Sequence, residues 1–140
     1  MGGDSFFLVG SDPASLEGID ELAALAARMP VVATADPLHH GIGYGDGPDT
    51  ARAAAGATDF ARASIEGQLR ALASHDFDAF QSECARVRSD FKNAGPALAH
   101  VLGAFTFDIR ALALVDYTAA LSAPPPTWVA AALAVIAREE

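Results

Sequence analysis

The chain has 140 residues, of which 51% are hydrophobic, so we expect one domain over residues 1–140 with a core of ordinary size. Nine lysines and arginines stand against eighteen aspartates and glutamates, giving a formal charge of -9. This charge argues against phosphate backbones and anionic bilayers as partners, so we expect no nucleic acid and no membrane.

The cysteine content, the apolar stretches and the N-terminal sequence indicate the cellular location of the protein. A single cysteine, Cys84, excludes a disulfide or a multi-cysteine metal site within the chain, and its place on an apolar helix face indicates a core residue. No apolar stretch reaches the roughly 18 residues that span a bilayer, and the N-terminus lacks the basic region of a signal peptide. We expect a soluble, cytoplasmic protein.

The first third of the chain reads as strand, helix and strand. Residues 6–9 (FFLV) form a short apolar run of β type. Apolar residues then recur at intervals of three and four from Leu16 to Met29, where Pro30 ends the predicted helix. Residues 31–35 (VVATA) follow as a second buried strand. A βαβ unit of this length predicts a parallel strand pair, with ligands at the carboxyl ends of its strands.

Helices and a strand pair are predicted for the rest. Two helices run from about residue 58 to 72 and from about 76 to 87, and Gly95-Pro96 opens a third whose apolar stripe reaches Ile109. Residues 111–118 and 128–136 favour strands, although the alanines of the latter also suit a helix. The predicted class is α/β: a mixed β-sheet with a parallel βαβ start, packing helices and an antiparallel C-terminal strand pair.

The segment ADPLHHGIGYGDGPDT, residues 35–50, is the main candidate site. Asp36 and His39 follow a predicted buried strand, and a carboxylate three residues from an imidazole can orient it for general acid/base catalysis. We predict that these two residues are catalytic. The alternative is a glycine-rich surface loop whose histidines are merely solvated.

Other residues of this loop are predicted to bind substrate. Adjacent histidines on an extended backbone point to opposite sides, so His40 and its neighbour should not share one metal ion. Tyr44 and Asp46 could line the mouth of a pocket, and we group them with His40 as substrate-binding candidates. Asp116 and Tyr117 could do the same or could alternate with core residues. The glycines of GIGYGDG do not open a helix, which argues against a nucleotide loop.

A family resemblance rests on several segments in order. The chain reads ATADPLHHG, then a helix with Ile65-Glu66, then DFDAF, GPALAH, LALVDYTAA and WVAAALAVIA. Together these resemble the C-terminal half of the class III extradiol ring-cleaving dioxygenase superfamily, especially its Memo-like branch, over nearly the whole chain. The most specific part is Asp-x-x-His-x-Gly, formed by Asp36, His39 and Gly41. The resemblance implies that His39 transfers protons to and from a substrate hydroxyl and bound oxygen, with Asp36 in the same cleft.

The chain also departs from that superfamily. Its members are longer, and their metal ligands, two histidines and usually a carboxylate, come largely from an N-terminal half that has no counterpart here. No histidine precedes His39, and Lys92, Asn93 and Ala94 stand where the Memo-like site has a cysteine. The residue spacings provide no metal-ligand set, so Fe(II) or another divalent metal would require a partner chain.

The resemblance therefore favours a subunit or half-enzyme of a dioxygenase-like protein. Its substrate would be a small molecule, a catechol in the dioxygenase members. One alternative is a noncatalytic small-molecule-binding or assembly module of the same fold, and another is a metal-independent acid/base enzyme. Exposed edges of a partial sheet predict a homo- or hetero-oligomer in each case.

Overall fold

The computed structural model describes residues 12–139, which form four α-helices and three strands. In chain order these are α1 (Ile19–Ala26), β1 (Leu38–Gly41), α2 (Thr58–Ala73), α3 (Phe77–Val87), α4 (Phe91–Leu102), β2 (Phe105–Asp116) and β3 (Thr127–Arg138). Short 3-10 turns lie at Pro13–Ser15 and Ile42–Tyr44. Within residues 12–139, every helix is too short or too polar to cross a membrane.

The three strands form one antiparallel sheet in the order β1-β3-β2. β2 and β3 pair along nearly their whole length, with an irregularity between Ile109 and Ala111. β1 pairs only with the start of β3, where Leu38 lies opposite Ala130. The predicted α/β composition and the antiparallel C-terminal strand pair are therefore confirmed.

The predicted parallel βαβ start is wrong for the part that the structure describes. Residues 31–35 form no strand, whereas residues 6–9 lie outside the described residues. Pro37 has no N–H to donate to a sheet, and its carbonyl accepts instead from the Gln68 side-chain amide at 2.9 Å. The Asp36 carbonyl accepts from the Asp90 backbone N–H at 2.9 Å. These bonds direct the chain towards the helices before it joins β3.

The predicted third helix is also wrong in its bounds. α4 begins before the proline that we expected to open it, and the predicted stripe residue Ile109 belongs to β2. Pro96 lies inside the helix and cannot donate to the carbonyl of Lys92 one turn earlier. The Gln81 side-chain amide donates to that carbonyl at 3.0 Å. A neighbouring helix thus satisfies the acceptor that the proline leaves free, so α4 continues through it.

Three helices, α2, α3 and α4, form the core together with the sheet. One cluster includes Leu38, Leu69 and Trp128 from β1, α2 and β3. A second cluster lies among α2, α3 and α4 and contains Phe80 and Cys84. Burial raises the pKa of the Cys84 thiol to about 11, which keeps it protonated near neutral pH. Cys84 is therefore a core residue, as predicted.

Replacement by alanine should change the free energy of unfolding in opposite directions at two helical glycines. A Cβ at Gly95 would overlap the ring of Phe80, which is fully buried, whereas a Cβ at Gly67 would lie 3.6 Å from the Glu83 carboxylate. Overpacking costs about 1–3 kcal/mol, against a helix-propensity gain of about 1 kcal/mol. We expect Gly95→Ala to lower the free energy of unfolding in urea and Gly67→Ala to raise it. Equal stabilisation by both would contradict the close Phe80 contact.

Candidate functional site

The two adjacent histidines of β1 lie on opposite faces of the strand, as expected for extended backbone. His40 is buried and faces Phe60 and Trp128, with ring centroids 5.4 and 4.9 Å away. His39 faces the other way, towards the C-terminus of α3 and the N-terminus of α4. The loop of residues 42–57 carries the chain from this strand to α2.

The hydrogen bonds of His40 define a neutral imidazole. Its Nε2 accepts from the Arg52 backbone N–H at 2.9 Å, and because an amide N–H can only donate, this nitrogen carries no proton. The proton is therefore on Nδ1, 2.9 Å from the Asp46 carboxylate. Burial lowers the pKa of His40, an effect that Asp46 opposes and that Arg52 and Arg88 reinforce. His40 thus stabilises the loop as a neutral residue.

Asp46 binds three groups from different parts of the chain. It accepts from the Gly41 backbone N–H at 2.7 Å and from the Arg88 guanidinium at 2.9 Å, in addition to His40. Burial alone would raise the pKa of Asp46, but the hydrogen bonds from Gly41 and Arg88 and the nearby charges lower it overall. The carboxylate is ionised at neutral pH and only 15% exposed.

Gly41 allows the chain to turn tightly at the end of β1. Its φ is 108°, and a Cβ there would overlap the Pro126 carbonyl and lie 2.9 Å from the Thr127 Cα. The next residue, Ile42, donates its backbone N–H to the same Pro126 carbonyl at 2.9 Å. Only glycine fits this approach, which brings the loop back over the start of β3.

His39 is oriented by a main-chain carbonyl. Its Nδ1 lies within a short hydrogen bond of the Arg88 carbonyl, which can only accept, so Nδ1 carries the proton of the neutral ring. The lone pair is then on Nε2, which is 3.6 Å from the Asp36 carboxylate and 3.9 Å from the Asp90 carboxylate. The imidazole is 13% exposed, whereas the two carboxylates are 57% and 61% exposed.

The position of that carbonyl follows from the end of α3. Arg88 terminates the helix in the left-handed conformation, with φ 55° and ψ 45°. Ser89 then donates its backbone N–H to the Cys84 carbonyl at 2.8 Å, as in a common helix-terminating motif. This turn presents the Arg88 carbonyl to His39 and its guanidinium to Asp46.

A tyrosine from the loop after β1 lies beside His39. The Tyr44 ring lies with its centroid 4.8 Å from that of the imidazole. Burial raises the pKa of Tyr44, and the nearby Tyr117, Asp36 and Asp90 side chains raise it further. The Tyr44 phenol is therefore a protonated hydrogen-bonding group at neutral pH.

Asp36, His39 and Asp90 also form a set of three metal-ligating side chains. One ligand atom from each lies within 4.8 Å of the others. Separations of 3.6 and 3.9 Å from Nε2 exceed normal hydrogen-bond lengths but suit ligands that share one ion through bonds of about 2.0–2.2 Å. A histidine that donates its other ring N–H to a carbonyl is the usual metal-bound form. One imidazole and two carboxylates differ from the two histidines and one carboxylate that the family resemblance implies.

The sequence predicted only the part of this site that comes from residues 35–50. The structure brings Asp36, His39 and Tyr44 together, but it places His40 and Asp46 in internal hydrogen bonds on the opposite face of β1. We missed two contributors, Arg88 and Asp90, which arrive from the turn between α3 and α4. The available signal was an aspartate just before an amphipathic helix, which is typical of an N-cap.

No protein-family model, curated protein or solved structure matches the chain.

We expect stability to fall on mild acidification because of His40. Its pKa is lower in the folded than in the unfolded chain, so its stabilising effect is full above the unfolded value of about 6.5 and is lost as pH falls below it. Urea unfolding at several pH values should show this slope. His40→Gln should remove much of it and cost about 1–3 kcal/mol at neutral pH. Replacing the exposed His100 by glutamine should leave the slope intact; a slope that survives His40→Gln would contradict this assignment.

Proposed function

We propose that the chain is one half of a dioxygenase-like enzyme site, in which His39 acts as general acid and base towards a hydroxyl group of a small aromatic substrate. A catechol is the proposed substrate class, and a second chain, of the same or another kind, supplies the remainder of the site. We propose a cytoplasmic location for the assembly.

The observation that supports this proposal most directly is the orientation of His39. The Arg88 carbonyl holds the proton on Nδ1, which leaves the Nε2 lone pair facing the exposed side with the two carboxylates. A general base needs a lone pair at a fixed position that a substrate can reach. His40, by contrast, uses both ring nitrogens in internal hydrogen bonds and has no free lone pair.

The surroundings of His39 suit a reversible proton transfer. A substrate O–H gives its proton to Nε2, the ring becomes an imidazolium, and the electron pair of the O–H bond stays on the substrate oxygen. The Asp36 and Asp90 carboxylates lie 3.6 and 3.9 Å from the nitrogen that receives this proton. Tyr44, whose ring lies beside the imidazole, can donate its phenol O–H to a substrate oxygen.

In the family that the sequence resembles, bound iron supplies the activation of oxygen. The proposed role of this chain is limited to binding the ring, orienting its hydroxyl and moving its proton. The two exposed carboxylates lie 3.6 and 3.9 Å from Nε2, and the Tyr44 ring lies beside the imidazole. In this proposal the residues that would hold the metal belong to the partner chain.

The test uses the chain purified from its native source with the proteins that accompany it. We expect oxygen uptake with catechol, and we expect His39→Gln to lower kcat/KM by about 10²–10⁴-fold, because a missing general acid/base has an effect of this size. His100→Gln, on the exposed side of α4, is the matched control and should retain full activity.

Two results would overturn the enzymatic proposal. One is a purified assembly that never contains stoichiometric iron and never consumes catechol. The other is a His39→Gln variant with unchanged kcat/KM. A chain that binds catechols without turnover, equally well with and without His39, would instead indicate a noncatalytic binding module.

A second candidate function is binding of a divalent cation by this chain itself. It is favoured by the convergence of Asp36, His39 and Asp90, whose ligand atoms lie within 4.8 Å of one another. Carboxylates with a single imidazole suit ions such as Mn²⁺. Because Nε2 would then be a metal ligand, this function excludes the role of His39 as a free base in the same state.

Titration of the chain with Mn²⁺ by calorimetry and by paramagnetic broadening of histidine resonances distinguishes the two functions. If the cation binds, we expect the ring signals of His39 to broaden first, and Asp36→Asn and Asp90→Asn each to weaken binding about tenfold or more, as loss of a ligand should. Asp108→Asn, which alters an exposed surface ion pair with Arg110, should bind like the unaltered chain. Absence of site-specific broadening at millimolar Mn²⁺ would exclude the second function and leave the first intact.

A further inference from the structure

Three buried side chains form a hydrogen-bonded series through the core. They are Gln68 of α2, Cys84 of α3 and Ser89 of the turn before α4, and each is at most 1% exposed. The Ser89 hydroxyl hydrogen-bonds to the Cys84 sulfur, and the Cys84 thiol donates to the Gln68 side-chain oxygen at 3.5 Å. The Gln68 side-chain nitrogen donates in turn to the Pro37 carbonyl at 2.9 Å. The series therefore joins residue 89 to residue 37 through the interior.

The partners of Gln68 fix the orientation of its side-chain amide. The amide nitrogen donates to the Pro37 carbonyl and lies 3.4 Å from the Ser64 carbonyl, one turn earlier in α2. The amide oxygen faces the Cys84 thiol, which remains protonated because burial raises its pKa to about 11. A flipped amide would place its oxygen against two carbonyl oxygens, and neither of these can donate. Because a buried polar group without a partner is costly, Gln68 is held in one arrangement.

The two ends of this series are the two segments that form the candidate site. At one end, Pro37 is the neighbour of Asp36 and lies two residues before His39. At the other end, Ser89 is flanked by the residues whose carbonyl and carboxylate face that imidazole. The two segments also meet directly, since the Asp36 carbonyl accepts from the Asp90 backbone N–H at 2.9 Å. The successive carbonyls of residues 36 and 37 are thus bound by the start of α4 and by α2.

We propose that Gln68 is a positioning residue of this site, whose buried amide fixes the spacing between Asp36 and His39 on one segment and Asp90 on the other. The inference rests on the proposed function, because these three groups must act together on one ligand. Gln68 acts through the main chain of residue 37. The carboxylates of Asp36 and Asp90 are more than half exposed, so their placement depends on the backbone that carries them.

α3 provides a matched control for this role. The Gln81 side-chain amide donates to the Lys92 carbonyl at 3.0 Å, so it makes the same kind of bond to the main chain as Gln68 does. Its bond supports the interior of α4, whereas the bond of Gln68 supports the residue next to Asp36. Replacement of either glutamine by methionine keeps the side-chain volume nearly constant and removes the hydrogen bond.

Amide exchange and histidine spectra test the positioning role without any assay of activity. In Gln68→Met we expect the Asp90 backbone amide, which donates to the Asp36 carbonyl, to exchange about tenfold or more faster, and we expect the ring signals of His39 to shift. Gln81→Met should leave both unchanged. Each variant is measured without urea, after urea unfolding has shown that it is folded there. A folded Gln68→Met variant with unchanged Asp90 exchange and unchanged His39 signals would overturn the proposal.

The unaltered chain provides a test that needs no variant to fold. The side-chain amide protons of Gln68 should exchange slowly with water, because both the donor and its acceptor are held in the core. Rapid exchange of these protons would show that the amide does not hold residue 37, and would also overturn the proposal.

Functional measurements separate this inference from the proposed function. In an assembly that consumes catechol, Gln68→Met should lower kcat by about 10²-fold and change KM less, since small displacements of catalytic groups have effects of this size. If the chain binds Mn²⁺ instead, the same variant should weaken binding by about 10–100-fold. Gln81→Met should retain both properties. Normal activity or binding in Gln68→Met would overturn the positioning role and leave the proposed function intact. If the unaltered chain shows neither property, the proposed functions fail, and the exchange of the Asp90 amide still decides whether Gln68 fixes the geometry.

Discussion

The Asp46 carboxylate is the interaction on which the geometry around β1 depends. One oxygen accepts from the end of β1 and contacts His40, and the other accepts from Arg88 at the end of α3. Because a carboxylate has acceptor sites for several donors, one buried charge can join a strand, a loop and a helix terminus. Arg88 also supplies the main-chain carbonyl that meets His39. One residue at the end of α3 therefore contacts both faces of β1.

The candidate site could be predicted only where its residues are close in sequence. Asp36 and His39 stand three residues apart on a segment with glycines after it, and their meeting follows from local backbone geometry. Arg88 and Asp90 meet His39 because a helix ends in a left-handed turn there, and no pattern near His39 encodes that turn. His40 and Asp46 were predicted to bind substrate because the sequence of a glycine-rich loop does not show whether its polar residues face a ligand or each other. Burial, which the sequence does not display, distinguishes the two cases.

The same limit applies to the fold. Apolar periodicity was sufficient for α2 and α3, since each buries one continuous stripe. Residue types indicated the C-terminal strand pair, but the start of β2, up to Ile109, was assigned to a helix. Apolar periodicity failed at residues 31–35 and at α4, where prolines and side-chain amides decide the outcome. Gln68 and Gln81 each donate to a main-chain carbonyl, at residues 37 and 92, that a prediction from local sequence would leave unassigned. Which carbonyl a glutamine side chain reaches depends on which helices pack together, and a local sequence pattern does not show this.

Arg88 contributes to the two faces of β1 through different parts of the same residue. Its guanidinium is a chemical requirement, because only a cation can pair with Asp46, whereas its carbonyl is a positional requirement that any residue tolerating the left-handed conformation can meet. Substitution of Arg88 will therefore affect the ion pair with Asp46 and the main-chain contact with His39 differently. Exchange of the side chain would weaken the loop yet leave the main-chain acceptor for His39 in place wherever the turn survives. The orientation of the imidazole therefore depends on the path of the backbone, which can stay the same when the side chains along it change.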